Sequence, residues 1–184
     1  MLRNVLLSAV AICTASTAEA RGFHAGIESG VDNVSDGEGE SATGAVYGAT
    51  FGYDVDRGGL FYGVELTAAG TSTRACRFGL LVPGDRACIR SETDSALVAR
   101  AGAILARNVR IYGLAGFAST RVQATYRVGA IAVSERSEPD GLRLGAGVEL
   151  PLSRRIAAKF EYRYSNLDDG LNRHQGVGGL SFRF

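Results

Sequence analysis

The sequence predicts an all-β protein, an eight-stranded antiparallel up-and-down transmembrane β-barrel. Three observations predict this fold. Apolar and polar residues alternate with a period of two in eight segments, which is the pattern of β-strands whose two faces meet different surroundings. Long and short connections alternate between these segments. The chain ends in GVGGLSFRF, where Leu180, Phe182 and Phe184 alternate with Ser181 and Arg183, so the strand pattern continues to the last residue.

The first twenty residues are expected to be removed before the protein folds. Arg3 precedes an apolar run at residues 5–12, and the segment closes with small residues that end in an A-x-A site at residues 18–20. This is the organisation of a secretory signal peptide, and the alternative is an N-terminal helix of the mature fold. We therefore divide the chain into a signal peptide, residues 1–20, and a barrel domain, residues 21–184.

Eight segments after the signal peptide carry the alternation. They lie at residues 22–31, 45–54, 60–68, 95–105, 110–126, 141–150, 156–165 and 176–184. In the first four, one face is apolar, with residues such as Phe51 and Leu66. The opposite face carries Gly, Thr and single charges, such as Glu65 and Arg100. Each segment therefore predicts one strand with an apolar and a polar face.

The second half repeats the pattern with one irregular member. Segment 141–150 is the cleanest, with leucines opposite Arg143 and Glu149. Segment 110–126 is the least clear, and in its later part Val122, Ala124 and Tyr126 share the apolar face. The long connections are expected at residues 32–42, 72–93, 127–140 and 166–173, and the short ones at residues 54–59, 106–108 and 151–155. One end of the barrel is then tightly turned, while the other carries four long loops.

The polar faces carry charges at mid-strand, among glycines. These inward charges are Glu28, Glu65, Arg100, Arg143, Glu149, Lys159, Glu161, Arg163 and Arg183. A soluble sandwich would not place charges there, whereas lipid outside and a narrow polar interior explain the pattern, and closure leaves no unpaired strand edge in lipid. An eight-stranded barrel has an interior that side chains can fill. The near balance of acids and bases favours a filled interior of paired charges over an open channel.

The cysteine content predicts one disulfide. Cys76 and Cys88 remain after the signal peptide is removed, and an exported chain meets an oxidising compartment. A metal pair is the weaker alternative, because no nearby His completes a site. The acidic stretch at residues 32–40 could attract Ca²⁺, but its spacing matches no known calcium loop, and a solvated loop is favoured. No cofactor is expected.

At YRYSNL, residues 162–167, and at the terminal GVGGLSFRF, the chain resembles the small outer-membrane β-barrel family. That family groups OmpA/OmpX-like and opacity-like proteins of Gram-negative bacteria, and the resemblance covers residues 22–184. It implies location in the cell outer membrane after export. It also implies that Leu180, Phe182 and Phe184 form the signal read by the barrel-assembly machinery during insertion.

The resemblance leaves three function classes. The first is a structural, adhesion or interaction barrel, the second a small porin-like channel and the third a lipid A-modifying enzyme. Enzymes of the third class use a His-x-Ser-Asn arrangement, but Arg163 stands two residues before Ser165 and Asn166, and His174 is expected to face lipid. We therefore expect no catalysis.

The expected partners are outer-membrane lipids and lipopolysaccharide. The net charge of +1 gives no reason to expect a nucleic-acid partner, and the sequence names no loop partner. Arginines near the cysteines could bind lipopolysaccharide phosphates through charge-assisted hydrogen bonds, or simply belong to a solvated loop. These arginines are Arg74, Arg77, Arg86 and Arg90.

Overall fold

The structure is a computed structural model, and it describes residues 20–35, 41–79, 82, 84–129 and 131–184. The signal peptide lies outside these residues except for Ala20, and its cleavage stays a prediction. Most of the acidic stretch considered for Ca²⁺, residues 36–40, also lies outside them. In the described part of the chain, no helix has the length and apolar character needed to span a membrane.

Ten antiparallel strands make up almost all of the described chain. They are β1 (Ala20–Ser35), β2 (Ser41–Arg57), β3 (Leu60–Thr71), β4 (Arg74–Phe78), β5 (Arg86–Ile104), β6 (Arg110–Val128), β7 (Ile131–Ser137), β8 (Asp140–Pro151), β9 (Ile156–Leu167) and β10 (Asn172–Arg183). Two short 3₁₀ turns, Ala106–Asn108 and Asp168–Gly170, connect β5 to β6 and β9 to β10.

Eight of these strands close into a barrel. Each pairs with the next in the order β1, β2, β3, β5, β6, β8, β9 and β10, and β10 returns to β1. Ile27 of β1, for example, lies opposite Ala49 of β2 on one side and Leu180 of β10 on the other. The remaining strands, β4 and β7, pair with β5 and β6 alone and lie outside the ring. The predicted eight-stranded antiparallel up-and-down barrel is confirmed.

The outer wall of the barrel is apolar. Ile27 is 67% exposed and Phe117 is 71% exposed, although both lie in the middle of a closed sheet. Aromatic rings gather near one rim of the wall, where Phe23 lies 5.8 Å from Phe51 and 4.9 Å from Tyr53, measured between ring centroids. Water would not favour such a surface, whereas the hydrocarbon of a bilayer matches it.

The two ends of the barrel differ in their connections. At the short-turn end, Gly58 and Gly59 join β2 to β3 with positive φ angles of 59° and 85°, as a two-residue hairpin turn requires. At the other, long-connection end, much of the expected loop is strand. The connection expected over residues 166–173 is reduced to residues 168–171, because β9 and β10 extend to Leu167 and Asn172. The stretch expected as a loop at residues 72–93 contains β4 and the start of β5.

A four-stranded extension projects beyond the ring at the long-connection end. It is made of β4, β7 and the adjoining parts of β5 and β6. A register shift between Ser91 and Thr93 interrupts the β5–β6 ladder, and Glu92 lies between them as an extra residue. The bulge changes which side of β5 faces the barrel axis. Below it the even-numbered residues, such as Arg100, face inward, and above it they face outward.

The later part of β6 corrects a prediction. Even-numbered residues of β6 face inward along the strand, as the buried Leu114 and Thr120 show. Val122, Ala124 and Tyr126 therefore lie on the inner side of the strand and not on the lipid side. The Tyr126 hydroxyl donates a 2.7 Å hydrogen bond to Asp85, which raises the pKa of Tyr126. The apolar side of the extension therefore faces the axis.

Candidate functional site in the barrel interior

The polar faces of the eight strands meet in the interior as three layers of charge. The lower cluster, at the short-turn end, is His24, Asp54, Asp56, Glu65, Arg100, Arg110, Glu149 and Arg183. The middle cluster is Glu28, Lys159, Glu161 and Arg163. The upper cluster is Asp32, Asp94, Arg143 and Arg173. The nine charges singled out from the sequence all lie in these clusters, and all but Arg183 are buried.

Arg100 is the centre of the lower cluster. Its Nη2 atom lies 2.7 Å from Asp54 and 2.8 Å from Glu149, and its Nη1 atom lies 3.0 Å from Glu65. These three carboxylates come from β2, β3 and β8. Arg110 adds contacts of 3.3 Å to Asp54 and 2.5 Å to Asp56. One guanidinium of β5 therefore joins three other strands.

The lower cluster also holds an imidazole and an edge cation. His24 Nε2 lies 3.2 Å from Glu65, and its Nδ1 lies 3.6 Å from Asp54, so two carboxylates flank the ring. Arg183 contacts Glu149 and retains 24% exposure of its side chain. This cation closes the cluster toward the short-turn end.

The middle cluster is balanced in charge. Arg163 donates to both carboxylate oxygens of Glu28, at 2.5 Å and 2.7 Å, and also to Glu161 at 2.6 Å. Lys159 lies 3.2 Å from Glu28 and 3.3 Å from Glu161. The Tyr112 hydroxyl donates a 2.6 Å hydrogen bond to Glu161. Each buried charge has a partner here, which is the condition for tolerating it away from water.

The upper cluster is arranged in the same way. Arg173 donates to the two oxygens of Asp32 at 2.7 Å and 2.8 Å, and its third donor lies 3.2 Å from Asp94. Arg143 donates to Asp94 at 2.7 Å and to the Ser165 hydroxyl at 2.8 Å. These contacts join β1, β5, β8, β9 and β10.

Among the described residues, two ion pairs reach across the full width of the barrel. Lys159 of β9 lies 3.2 Å from Glu65 of β3, and these strands stand four positions apart in a ring of eight. Arg173 of β10 lies 3.2 Å from Asp94 of β5, which is again the opposite strand. Side chains from opposite walls therefore meet at two heights.

Small residues make room for this packing. A Cβ atom on Gly147 would stand 2.7 Å from both Glu161 Cγ and Tyr112 Cζ, which is too close for unbonded carbon atoms. Glycine at this interior position therefore lets Tyr112 approach Glu161.

Several interior residues were missed from the sequence. Asp32 and Arg173 fell in stretches assigned to loops, and Asp94 follows directly after another such stretch. Continuing the alternation beyond Glu28 and back from Gln175 would have found Asp32 and Arg173. Phe61 was also missed, although the Arg100 and Arg110 guanidinium groups lie 5.5 Å and 4.7 Å from its ring centroid.

Cavities lie at both ends of the clusters. One of about 220 Å³ opens at the short-turn end and is lined by Asp54, Arg110 and Arg183 among others. One of about 60 Å³ lies at the other end, against Thr120 and Arg173. The four side chains of the middle cluster line neither of these cavities.

The enzyme alternative depends on Ser165, which is buried on the inner face. Its hydroxyl accepts a hydrogen bond from Arg143. His174 lies on the outer face, where its Nδ1 is 2.6 Å from the Tyr162 hydroxyl. The described residues therefore place no histidine beside this serine. They also contain no group of three His, Cys, Asp or Glu side chains suited to a metal ion.

The remaining predicted sites lie on the outside. A disulfide joins Cys76 and Cys88, which stand opposite each other on β4 and β5. Leu180, Phe182 and Phe184 follow the outer face of the last strand, and the rings of the two phenylalanines are 5.0 Å apart. Their role in assembly stays a prediction.

Comparison with solved structures shows the same fold at low sequence identity. Ail, the attachment invasion locus protein of Yersinia pestis, in complex with the heparin analogue sucrose octasulfate, is 20% identical with a TM-score of 0.59, and the match covers 90% of this chain and 98% of that one. Neisserial surface protein A is 16% identical with a TM-score of 0.59, over 88% and 97% of the two chains. The N-terminal barrel of Pseudomonas aeruginosa OprF is 14% identical with a TM-score of 0.53, over 88% and 97%.

The family comparison is broader than these structural likenesses. A search of curated proteins gave no match. A scan against protein families matched residues 5–184 to the outer membrane protein beta-barrel domain, and this span includes all eight strands of the ring. The closed ring and the apolar outer wall agree with that match. The chain is therefore an outer-membrane protein and belongs to the family of outer membrane protein beta-barrel domains.

Proposed function

We propose that this protein is a non-catalytic outer-membrane barrel with a closed interior. Its function is carried by the strands and connections that it holds above the membrane, in a structural, adhesion or interaction role. The ring of eight strands is the anchor, and the extension built on β4 to β7 is the displayed part.

The observation that carries this proposal is the pairing of charges across the barrel. Lys159 meets Glu65, and Arg173 meets Asp94, from opposite walls. The middle cluster lies between the cavities at the two ends. Ions would have to separate these pairs to pass, and separating a buried pair leaves two uncompensated charges. This supports a closed interior over a small porin-like channel.

A structural role for Ser165 supports the absence of catalysis. A serine needs a general base to become a strong nucleophile. Its hydroxyl instead accepts a hydrogen bond from Arg143, whose guanidinium also binds Asp94. In this arrangement the serine completes the upper cluster.

The display role has a separate support. The four-stranded extension continues the barrel sheet beyond the ring, so its surface is held by backbone ladders and by the Cys76–Cys88 disulfide. The structurally similar Ail is named for attachment and invasion, and its structure contains a sulfated sugar. From this likeness we infer only that the long-connection end, which bears the extension, is the end that binds a partner.

Conductance of the purified, refolded barrel in planar bilayers tests the closed interior. We expect no steady ion current from the native protein. The double variant Glu65→Ala, Lys159→Ala removes one pair that spans the barrel and should leak, whereas Arg154→Ala, in an exposed turn, should behave as the native protein does. A steady current through the native barrel would establish the channel alternative.

Export is part of the same proposal. We expect cleavage after Ala20, so that the mature protein begins at Arg21. Mass spectrometry of protein from the outer-membrane fraction measures this directly. An intact first segment in that fraction would contradict it.

A further inference from the structure

We propose that the outer side of the extension is a binding site for the anionic core saccharide of the surrounding lipopolysaccharide. The site is formed by Arg74, Arg86, Arg90 and Arg127, with Gln123 and Thr125 between them. It rests on the proposed display function and names one ligand for the displayed surface.

Strand pairing gathers these arginines on one side of the extension. Arg74 lies opposite Arg90 across β4 and β5, and Arg86 lies opposite Arg127 across β5 and β6. Arg77 is odd-numbered on β4 and pairs with Ala87, so it lies on the inner side of the extension. It is therefore not part of the site, although the sequence grouped it with the other three arginines. Arg127, which the sequence did not suggest, takes its place.

The outer side of the extension carries a concentration of positive charge. The four guanidinium groups are exposed and line one shallow depression of about 280 Å³ together with Cys88, Gln123 and Thr125. The described residues place no carboxylate in that lining. Within the part of the chain that the structure describes, Arg74 and Arg86 direct donors toward the disulfide sulfurs, at 3.7 Å and 3.5 Å, and Arg86 also lies 5.3 Å from the ring centroid of Phe78, and none of these partners is charged. Positive charge without a counter-charge, in planar forked donors, suits phosphate or carboxylate groups.

The outward residues of β6 show which way the arginine side faces. Outward residues of β6 run from Phe117 on the apolar wall through Arg121 and Gln123 to Arg127. The arginine side is therefore a continuation of the lipid-facing wall, and it looks sideways over the membrane. The opposite, apolar side of the extension faces the mouth of the barrel. A ligand in the surrounding leaflet meets this surface more readily than one that approaches along the barrel axis.

The arginines lie well above Phe117, the last apolar residue on the outward face of β6 before them. Gln123 lies six residues beyond Phe117, which is about 20 Å along a strand and less along the membrane normal because barrel strands tilt. The head-group region of a bilayer leaflet extends only about 5–8 Å beyond the hydrocarbon. An ordinary phospholipid head group is too short to reach the arginines. A glycolipid that carries a long anionic saccharide does reach them, and such a lipid fills the outer leaflet at the extracellular, long-connection end.

The test is titration of the refolded full barrel, in lipopolysaccharide-free detergent, with deacylated phosphorylated core saccharide, followed by calorimetry. The variant Arg90→Glu, Arg127→Glu reverses two charges of the site. The control Arg107→Glu, Arg154→Glu reverses two exposed charges at the short-turn end. Because charge-assisted hydrogen bonds are lost, we expect the site variant to bind at least about tenfold more weakly, and the control to bind within about twofold of the native barrel. Heat-modifiable gel migration checks that each variant is folded.

Three further arms identify the ligand source. Dephosphorylated saccharide should bind weakly, and phospholipid vesicles should give no difference between the site variant and its control. Equal saccharide binding by the native barrel and the site variant would overturn the proposal. The proposal would also be overturned if the native barrel bound a sulfated oligosaccharide but did not bind the lipopolysaccharide core saccharide. A soluble glycan would then be the ligand. The conductance measurement does not depend on this result, so the two proposals can fail separately.

Discussion

Lys159 Nζ lies 3.2 Å from Glu65 Oε1, although their strands stand on opposite sides of the ring. Lys159 also contacts Glu28 and Glu161, so one ammonium group is shared by three carboxylates. No strand pairing brings these groups together, because β9 and β3 share no ladder. The contact exists because an eight-stranded barrel is narrow enough for side chains to meet at its axis.

Replacing Lys159 with Met should strongly destabilise the barrel. The change leaves buried carboxylates without their shared cation, and breaking a buried pair in this way costs about 3–5 kcal/mol. The double variant Lys159→Met, Glu65→Gln should lose less, because the lost positive charge is then matched by the loss of one of the negative charges that it faced. Urea unfolding followed by gel migration or far-ultraviolet circular dichroism measures this, since the chain has no Trp. Arg154→Met is the exposed control, and a midpoint for Lys159→Met equal to that control would contradict the paired interior.

Replacing Tyr112 with Phe should remove one buried hydrogen bond and little else. The hydroxyl donates to Glu161 at 2.6 Å, and a hydrogen bond to a charged group contributes about 1.5–3 kcal/mol. Tyr62→Phe, on the exposed outer wall, is the matched control and should leave the unfolding free energy nearly unchanged. The same unfolding assay compares the two. Equal losses would mean that the interior hydroxyl has no special contribution.

Replacing Gly147 with Ala should destabilise the barrel through crowding. The new methyl group would stand 2.7 Å from Glu161 Cγ and Tyr112 Cζ, and overpacking of this kind costs about 1–3 kcal/mol. Gly113 faces outward, and a Cβ atom there meets nothing closer than the Gly145 carbonyl at 3.8 Å. Gly113→Ala should therefore be tolerated. The prediction fails if the two alanine variants unfold at the same urea concentration.

Replacing Phe184 with Ala should lower insertion in cells more than stability in detergent. Phe184 is exposed on the outer side, and its backbone N–H donates to the Phe23 carbonyl at 3.0 Å, a bond that alanine retains. If the side chain is read during assembly, less protein reaches the outer membrane while refolding of purified protein is unaffected. Phe160→Ala, on the outer face of β9, is the control. Comparable outer-membrane levels of the two variants would remove the assembly role.

The alternation predicted most of the fold and part of the interior. Arg100, Glu149 and Arg163 lie in segments with a clean period of two. The inward direction of their side chains therefore follows directly from the sequence. The sequence predicts loops at Asp32 and Arg173, because composition does not show how far strands continue beyond the membrane. Arg173 pairs with Asp32 on the neighbouring strand and with Asp94 on the opposite strand, and no local pattern encodes the second contact.

The irregular segment in β6 has a physical explanation. Up to Phe117 its outward residues are apolar, and from Arg121 onward they are polar, while Val122 and Tyr126 on the inner side are apolar. The polarity of the two faces reverses within one strand, so a single period-two pattern cannot describe it. A single apolar face assigned over the whole segment therefore places the later apolar residues on the lipid side, which is wrong.

The bulge at Glu92 produces the same reversal in β5 by adding a residue to the ladder. Below it, Asp94 and Arg100 face the interior, where hydrocarbon outside leaves no other place for a charge. Above it, Arg90 and Arg86 face outward. Glu92 thus marks, along the chain, the start of the displayed sheet, while the apolar wall of β5 ends below it, at Leu97. Residues added in pairs above Glu92 would lengthen the displayed sheet, whereas residues added in pairs within the apolar wall would demand a thicker membrane.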